Sequence, residues 1–201
     1  MLDFNFSLHS YGFGKVLDSD NCKEVLVMGN YRIGDKAIDK TGAIFEVEKM
    51  EEQDFGGGTS VFLVMKPFFS NDYSKDYRMY VPLGNADKIL RPVMTKEQAL
   101  DLIDQMAGLT GFPEVPPRER KVQFQNIIST GDRKEIYRVI KSLIEYRNKR
   151  KQNNKPFSDF DTKLLKNLET MIQNEISVAL GISPSFVADF VKQRTGNYLF
   201  S

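Results

Sequence analysis

The sequence predicts an α+β chain in two parts, a small bent β-barrel followed by an all-helical region. Three observations predict it. Short β-rich runs fill residues 31 to 93, helix-period apolar residues with capping signals fill most of the chain beyond Thr95, and a glycine- and proline-rich stretch lies at 108–117. The expected division is an N-terminal extension over 1–27, a barrel over 28–94, a helix and linker over 95–117, and a basic helical domain over 118–201.

Residues 1–27 lack strong periodicity and hold both His9 and Cys22. Met28-Gly29-Asn30-Tyr31 is a natural start, so the preceding stretch reads as an extension. The run from Lys23 to Val27 is suited to one added strand. In the barrel, Ala43 to Met50 is rich in β-formers, and Ser60 to Lys66 is an apolar run of buried-strand length. Tyr77 to Pro82 alternates and stops at a proline, and Gly56-Gly57-Gly58 links two strands as a loose hairpin. About five short strands in so short a segment suggest a small, strongly bent barrel.

The helical part is marked by local chemistry. Thr95 and Gln98 form a capping box ahead of Ala99, Leu102, Ile103 and Met106. Asp132 caps a helix with Ile136, Val139, Ile140 and Leu143 on one face, and residues 152–156 break it. Ser158 starts a long helix with Leu164, Leu168, Met171, Ile172, Ile176 and Ala179 inward, ended by Gly181. Ser183 caps a last helix with Pro184 in its first turn.

Charge is unevenly placed. Residues 118–155 carry twelve basic and four acidic side chains, a local +8, which leaves −7 for the remainder of a chain whose net charge is +1. That asymmetry points to a polyanion partner for one part only. One cysteine excludes an internal disulfide framework, and no apolar run reaches the ~18 residues of a membrane span. Gly56-Gly57-Gly58 precedes no Gly-Lys-Ser/Thr, so it is no phosphate loop. No nucleophile–base–orienter set and no clustered metal ligands can be assembled, so neither an enzyme nor a cofactor is expected. Residues 175–187 have the outline of a helix-turn-helix. Its second helix offers Phe186, Val187, Phe190 and Val191, a core-packing face rather than a base-reading one. Tyr73, Tyr77 and Tyr80 read as strand packing.

One ordered set of matches goes further. Tyr31-Arg32-Ile33-Gly34-Asp35-Lys36 opens it, Glu46, Val47, Val81, Pro82, Asn85 and Ala86 continue it, and Leu90-Arg91-Pro92-Val93 closes it. A tail then opens with Arg118-Glu119-Arg120-Lys121 and carries Ser129-Thr130-Gly131-Asp132. Together they resemble the CarD family of bacterial transcription regulators, over residues 31 to about 182. The resemblance implies a Tudor-like (SH3-like) barrel that docks on the RNA polymerase β subunit through the strand Arg78, Met79, Tyr80, Val81 and Pro82. It implies promoter DNA contacts, mostly to backbone, from Pro117, Arg118, Arg120, Lys121, Arg133 and Lys134. It also implies a cytoplasmic, nucleoid-associated monomer that binds neither membrane nor cofactor. The family's tryptophan wedge at the strand junction falls on Pro116 or Pro117 here, and this chain has no tryptophan.

Overall fold

The structure is a computed structural model that describes residues 13–17, 24–28, 31–54, 58–69 and 74–201. His9, Cys22, Tyr73 and the Gly56-Gly57 pair lie outside the described residues. The chain separates into two compact units, divided between Pro92 and Val93.

The first unit begins with β1 (Phe13–Leu17), β2 (Glu24–Met28) and β3 (Tyr31–Arg32), an antiparallel sheet in the order β1-β2-β3. The strand expected near Lys23–Val27 is therefore present, one residue later. Next come β4 (Lys36–Asp39), β5 (Ile44–Asp54), β6 (Thr59–Pro67) and β7 (Met79–Pro82). A 3-10 turn (Leu83–Asn85) and a one-turn helix α1 (Ala86–Ile89) lead to β8 (Leu90–Pro92). Five of these strands form an antiparallel sheet ordered β7-β6-β5-β4-β8. It is open rather than closed, with β7 and β8 as its edges.

Chain turns explain the motif that opens the unit. Gly34 takes φ +92°, a left-handed conformation suited to glycine. Its N–H donates to Val47 O at 2.8 Å, and Val47 N–H returns to Asp35 O at 2.9 Å. The Asp35 carboxylate accepts from Arg32 N–H at 2.8 Å. Gly34, Asp35 and Val47 thus form one turn-to-strand knot. One residue beyond it, the β5–β6 register shifts between Val47 and Lys49, leaving Glu48 as a bulge. Ala37, Phe45, Val47, Leu63, Met65 and Val81 supply the apolar face, closed by Ala86 and Leu90.

The second unit holds α2 (Lys96–Met106), α3 (Pro117–Thr130), α4 (Arg133–Gln152), α5 (Asp159–Leu180) and α6 (Pro184–Thr195). The Thr95, Asp132 and Ser158 caps form as the sequence announces. Thr95 Oγ1 accepts from Gln98 N–H while Gln98 Oε1 accepts from Thr95 N–H, at 3.2 and 2.9 Å. Asp132 accepts from Lys134 and Glu135 N–H at 2.9 and 3.0 Å, and Ser158 accepts from Asp161 N–H at 3.1 Å. Gly181 ends α5 at φ +67°. Ser183 sits at the N-cap of α6 but its side chain makes no capping bond; its hydroxyl meets Ser185 Oγ at 2.9 Å instead.

The core of this unit combines Ala99, Ile103 and Met106 with Ile136, Tyr137, Ile140, Leu143, Ile172, Ile176, Val187 and Val191. α2 is therefore part of the helical core. In α5 the inward set is Leu165, Leu168, Ile172 and Ile176, with Leu164, Met171 and Ala179 only partly buried. Val187 and Val191 pack inward and Phe190 lies partly buried against the core, but Phe186 is 64% exposed.

Candidate functional site

Two surfaces carry the residues singled out from sequence, one on each unit.

On the first unit, β7 pairs with β6 as Met79↔Met65, Tyr80↔Val64, Val81↔Leu63 and Pro82↔Phe62. No described strand pairs with its other edge. Side chains alternate as a strand requires. Val81 is buried in the core while Tyr80 is 48% exposed. Met79 and Pro82 are half-buried, and Pro82 lacks an N–H with which to extend the edge. Arg78 is already engaged. Its Nε and Nη2 both meet the Glu48 carboxylate, and Nη1 donates to Lys75 O and Tyr77 O at 2.9 Å each. The hydrogen bonds from Arg78 hold the Glu48 carboxyl below the usual carboxylate range. Arg78 therefore fastens the start of β7 to the β5 bulge. Exposed Tyr77 and Phe69 lie in the segments that precede β7, and Tyr77 tilts against Phe45 at 6.3 Å.

On the second unit, the expected DNA-contacting set divides. Pro117, Arg118, Lys121 and Lys134 are exposed. Arg120 and Arg133 are instead committed to ion pairs within the unit, Arg120 buried and Arg133 half-buried. Arg120 is buried, its Nη2 lies 2.8 Å from Asp161 Oδ2, and its guanidinium stacks over Tyr146 at 4.2 Å. Asp161 also accepts from Ser158 Oγ at 2.8 Å. This cluster fastens α3 to α4 and to the first turn of α5. Freeing Arg120 for a phosphate would leave Asp161 buried without its cation, a loss of about 3–5 kcal/mol. Arg133 Nε and Nη2 meet Glu175 Oε1 at 2.8 and 2.5 Å. Glu175 is fully buried and also accepts from Met94 N–H at 3.1 Å. Arg133 thus ties the start of α4 to α5.

The same withdrawal runs through the basic segment. Arg138 pairs with Glu135 at 3.1 Å and stacks on Phe112 at 4.1 Å, and Lys149 pairs with Glu114 at 2.5 Å. Lys141 donates to Leu109 O. Arg118, Lys134, Lys151 and Lys155 remain exposed with no ion-pair partner among the described residues. Lys121 Nζ sits 5.1 Å from the ring of Phe160, itself 48% exposed. Sequence reasoning passed over Phe160. Its signal is a phenylalanine in the first turn of α5, between Asp159 and Asp161 and out of phase with the apolar stripe.

No group of three or more histidine, cysteine, aspartate or glutamate side chains is placed to hold a metal among the described residues. No helix among them is long and apolar enough to cross a membrane. No protein-family model and no curated protein matches the chain.

Proposed function

We propose that this chain is a CarD-like transcription regulator, not an enzyme. Its first unit is read as a Tudor-like barrel that docks on the RNA polymerase β subunit. Its second unit contacts promoter DNA through backbone phosphates and so modulates initiation complexes. The observation that carries the reading is the open edge of β7, which projects Tyr80 outward while Val81 anchors the strand in the core. An extended partner segment adds to such an edge by main-chain hydrogen bonds, and one or two side chains fix its register. The Glu48 bulge favours the tighter twist that a barrel-like sheet needs.

The DNA contacts are assigned to Arg118, Lys121 and Lys134, with Phe160 as the exposed ring beside Lys121. An exposed ring next to a lysine suits an unstacked base, and the cations suit its flanking phosphates. Tethering to polymerase raises the local concentration of such a weak DNA binder. The protein acts as a cytoplasmic, nucleoid-associated monomer in this reading.

A second reading is a protein-interaction adaptor whose helical unit packs on protein. The withdrawal of Arg120 and Arg133 and the exposure of Val122 and Phe186 favour it. DNA binding at low and moderate salt separates the two.

The deciding experiment is binding of the whole chain to an isolated polymerase β-lobe fragment, native against Tyr80→Asp. Native binding that the variant loses is the expected result. Absence of native binding would end the polymerase-docking reading.

A further inference from the structure

Gly196 ends α6 at φ +74°, and residues 197–201 continue as a short irregular segment. Leu199 and Phe200 lie half-buried against the helical core. The Phe200 ring meets the Tyr137 ring edge-on, with centroids 6.3 Å apart. The main chain is held on both sides of that ring. Tyr137 Oη, on α4, donates to Leu199 O at 3.0 Å. Ser201 N–H donates to Glu169 Oε1, on α5, at 2.6 Å, and Ser201 Oγ donates to Glu169 Oε2 at 2.7 Å.

Glu169 sets this contact apart from ordinary packing. It is 8% exposed and pairs with no cation among the described residues. A buried carboxylate without a cation needs hydrogen-bond donors in place of water. Both of its donors belong to Ser201, so a single residue outside the helices satisfies it. Tyr137, 2% exposed, likewise gives its hydroxyl proton to the same segment.

These are the means by which a groove recognises an extended peptide. Side chains of the groove hold one backbone carbonyl and the N–H two residues on, and the side chain between them packs on an aromatic wall. None of these bonds depends on the covalent link through Gly196. The serine hydroxyl adds selectivity, because its loss leaves one buried carboxylate oxygen without a donor.

We propose that Tyr137 and Glu169 mark a peptide-binding groove across α4 and α5, with residues 197–201 as its built-in occupant. In trans it takes an extended peptide that carries, in order, an apolar residue, an aromatic residue and a serine or threonine. The built-in segment is its competitor. A segment on so short a link has an effective concentration of about millimolar, so a free peptide enters when that segment lets go. This groove is independent of the transcription reading.

The probe is an end-blocked, fluorescently labelled peptide matching residues 197–201 (Asn-Tyr-Leu-Phe-Ser), titrated into the whole chain and followed by anisotropy. Phe200→Ala loosens the built-in segment and is expected to bind the peptide about tenfold more tightly than the native chain does, the worth of one edge-on ring contact with its burial. Adding Glu169→Gln to that variant is expected to weaken the peptide at least about tenfold, the size of one charge-assisted contact. A peptide with alanine in place of its phenylalanine is expected to bind about tenfold more weakly. Circular dichroism checks that the variants keep their fold. The native chain supplies a measurement that needs no variant: the Ser201 amide is expected to exchange its proton by local opening, well ahead of the core amides of α4 and α5. Failure of the peptide to bind a folded Phe200→Ala chain, undiminished binding after Glu169→Gln, equal binding of the alanine peptide, or exchange of Ser201 only together with the core amides would overturn the proposal.

Discussion

In the sheet, Arg78 meets Glu48 with side chains 30% and 33% exposed; in the helical unit, Arg120 meets Asp161 with side chains 11% and 7% exposed. The first pair sits in screening solvent and guides a strand start, so its removal changes little. The second joins three helices in a water-poor site, where loss of one partner strands the other. The two units therefore use the same residue types for different ends. The sheet keeps its charges outside and offers a backbone edge. The helical unit buries Arg120, half-buries Arg133 and Arg138 in ion pairs, and leaves Arg118 and Lys134 exposed without one.

The largest expected effect breaks that contrast at Glu175. Glu175→Ala leaves Arg133 and the Met94 N–H without their shared acceptor, and equilibrium denaturation should show a loss of about 4 kcal/mol. Arg120→Ala should cost about 3 kcal/mol by the same measurement. If either variant unfolds at the native midpoint, the buried pairs do not hold the helices together.

What the sequence allowed is uneven for the same reason. Caps act over three or four residues, so Thr95, Asp132 and Ser158 were readable from spacing alone. The inward face of α4 followed from period, although Tyr137 joined it unannounced. Adjacent Arg120 and Lys121 look equivalent in a string of letters. On a helix they point about 100° apart, and the acid that claims Arg120 lies 41 residues away. Buried Glu169 and Glu175 were invisible because period arguments place charges outside. Sheet closure was equally out of reach, since it depends on whether β7 and β8 meet, which no local signal encodes. Of the residues expected at the polymerase edge, Tyr80 projects outward, whereas Val81 faces the core and Arg78 is engaged with Glu48.

A pH experiment sharpens the helical side. Burial, and then the charge of Glu169, push the Tyr137 hydroxyl up to about 12. A raised value means that the folded state holds this proton more tightly than the unfolded chain. The stability it contributes is fully present below about pH 10 and is lost as pH rises through about 12. Alkaline denaturation should therefore show a loss on the order of 2 kcal/mol over that window. Tyr137→Phe should flatten the slope while losing the 3.0 Å bond to Leu199 O.

The smallest stability effects belong to the free cations. Arg118→Ala and Lys121→Ala should each change unfolding by less than about 0.5 kcal/mol. In the transcription reading each should also lower the salt slope of DNA binding by about 1. Unchanged DNA binding in the double variant would shift the helical unit to the adaptor reading.

β7 runs only from Met79 to Pro82, and its last residue has no N–H to give. Two such strands from separate molecules could form few bonds between them before the proline interrupts the ladder. The edge is thus long enough for a partner that brings its own side-chain contacts, yet too short to drive stacking of one copy on the next. Pairing of two copies through β7 is therefore not expected in concentrated solution.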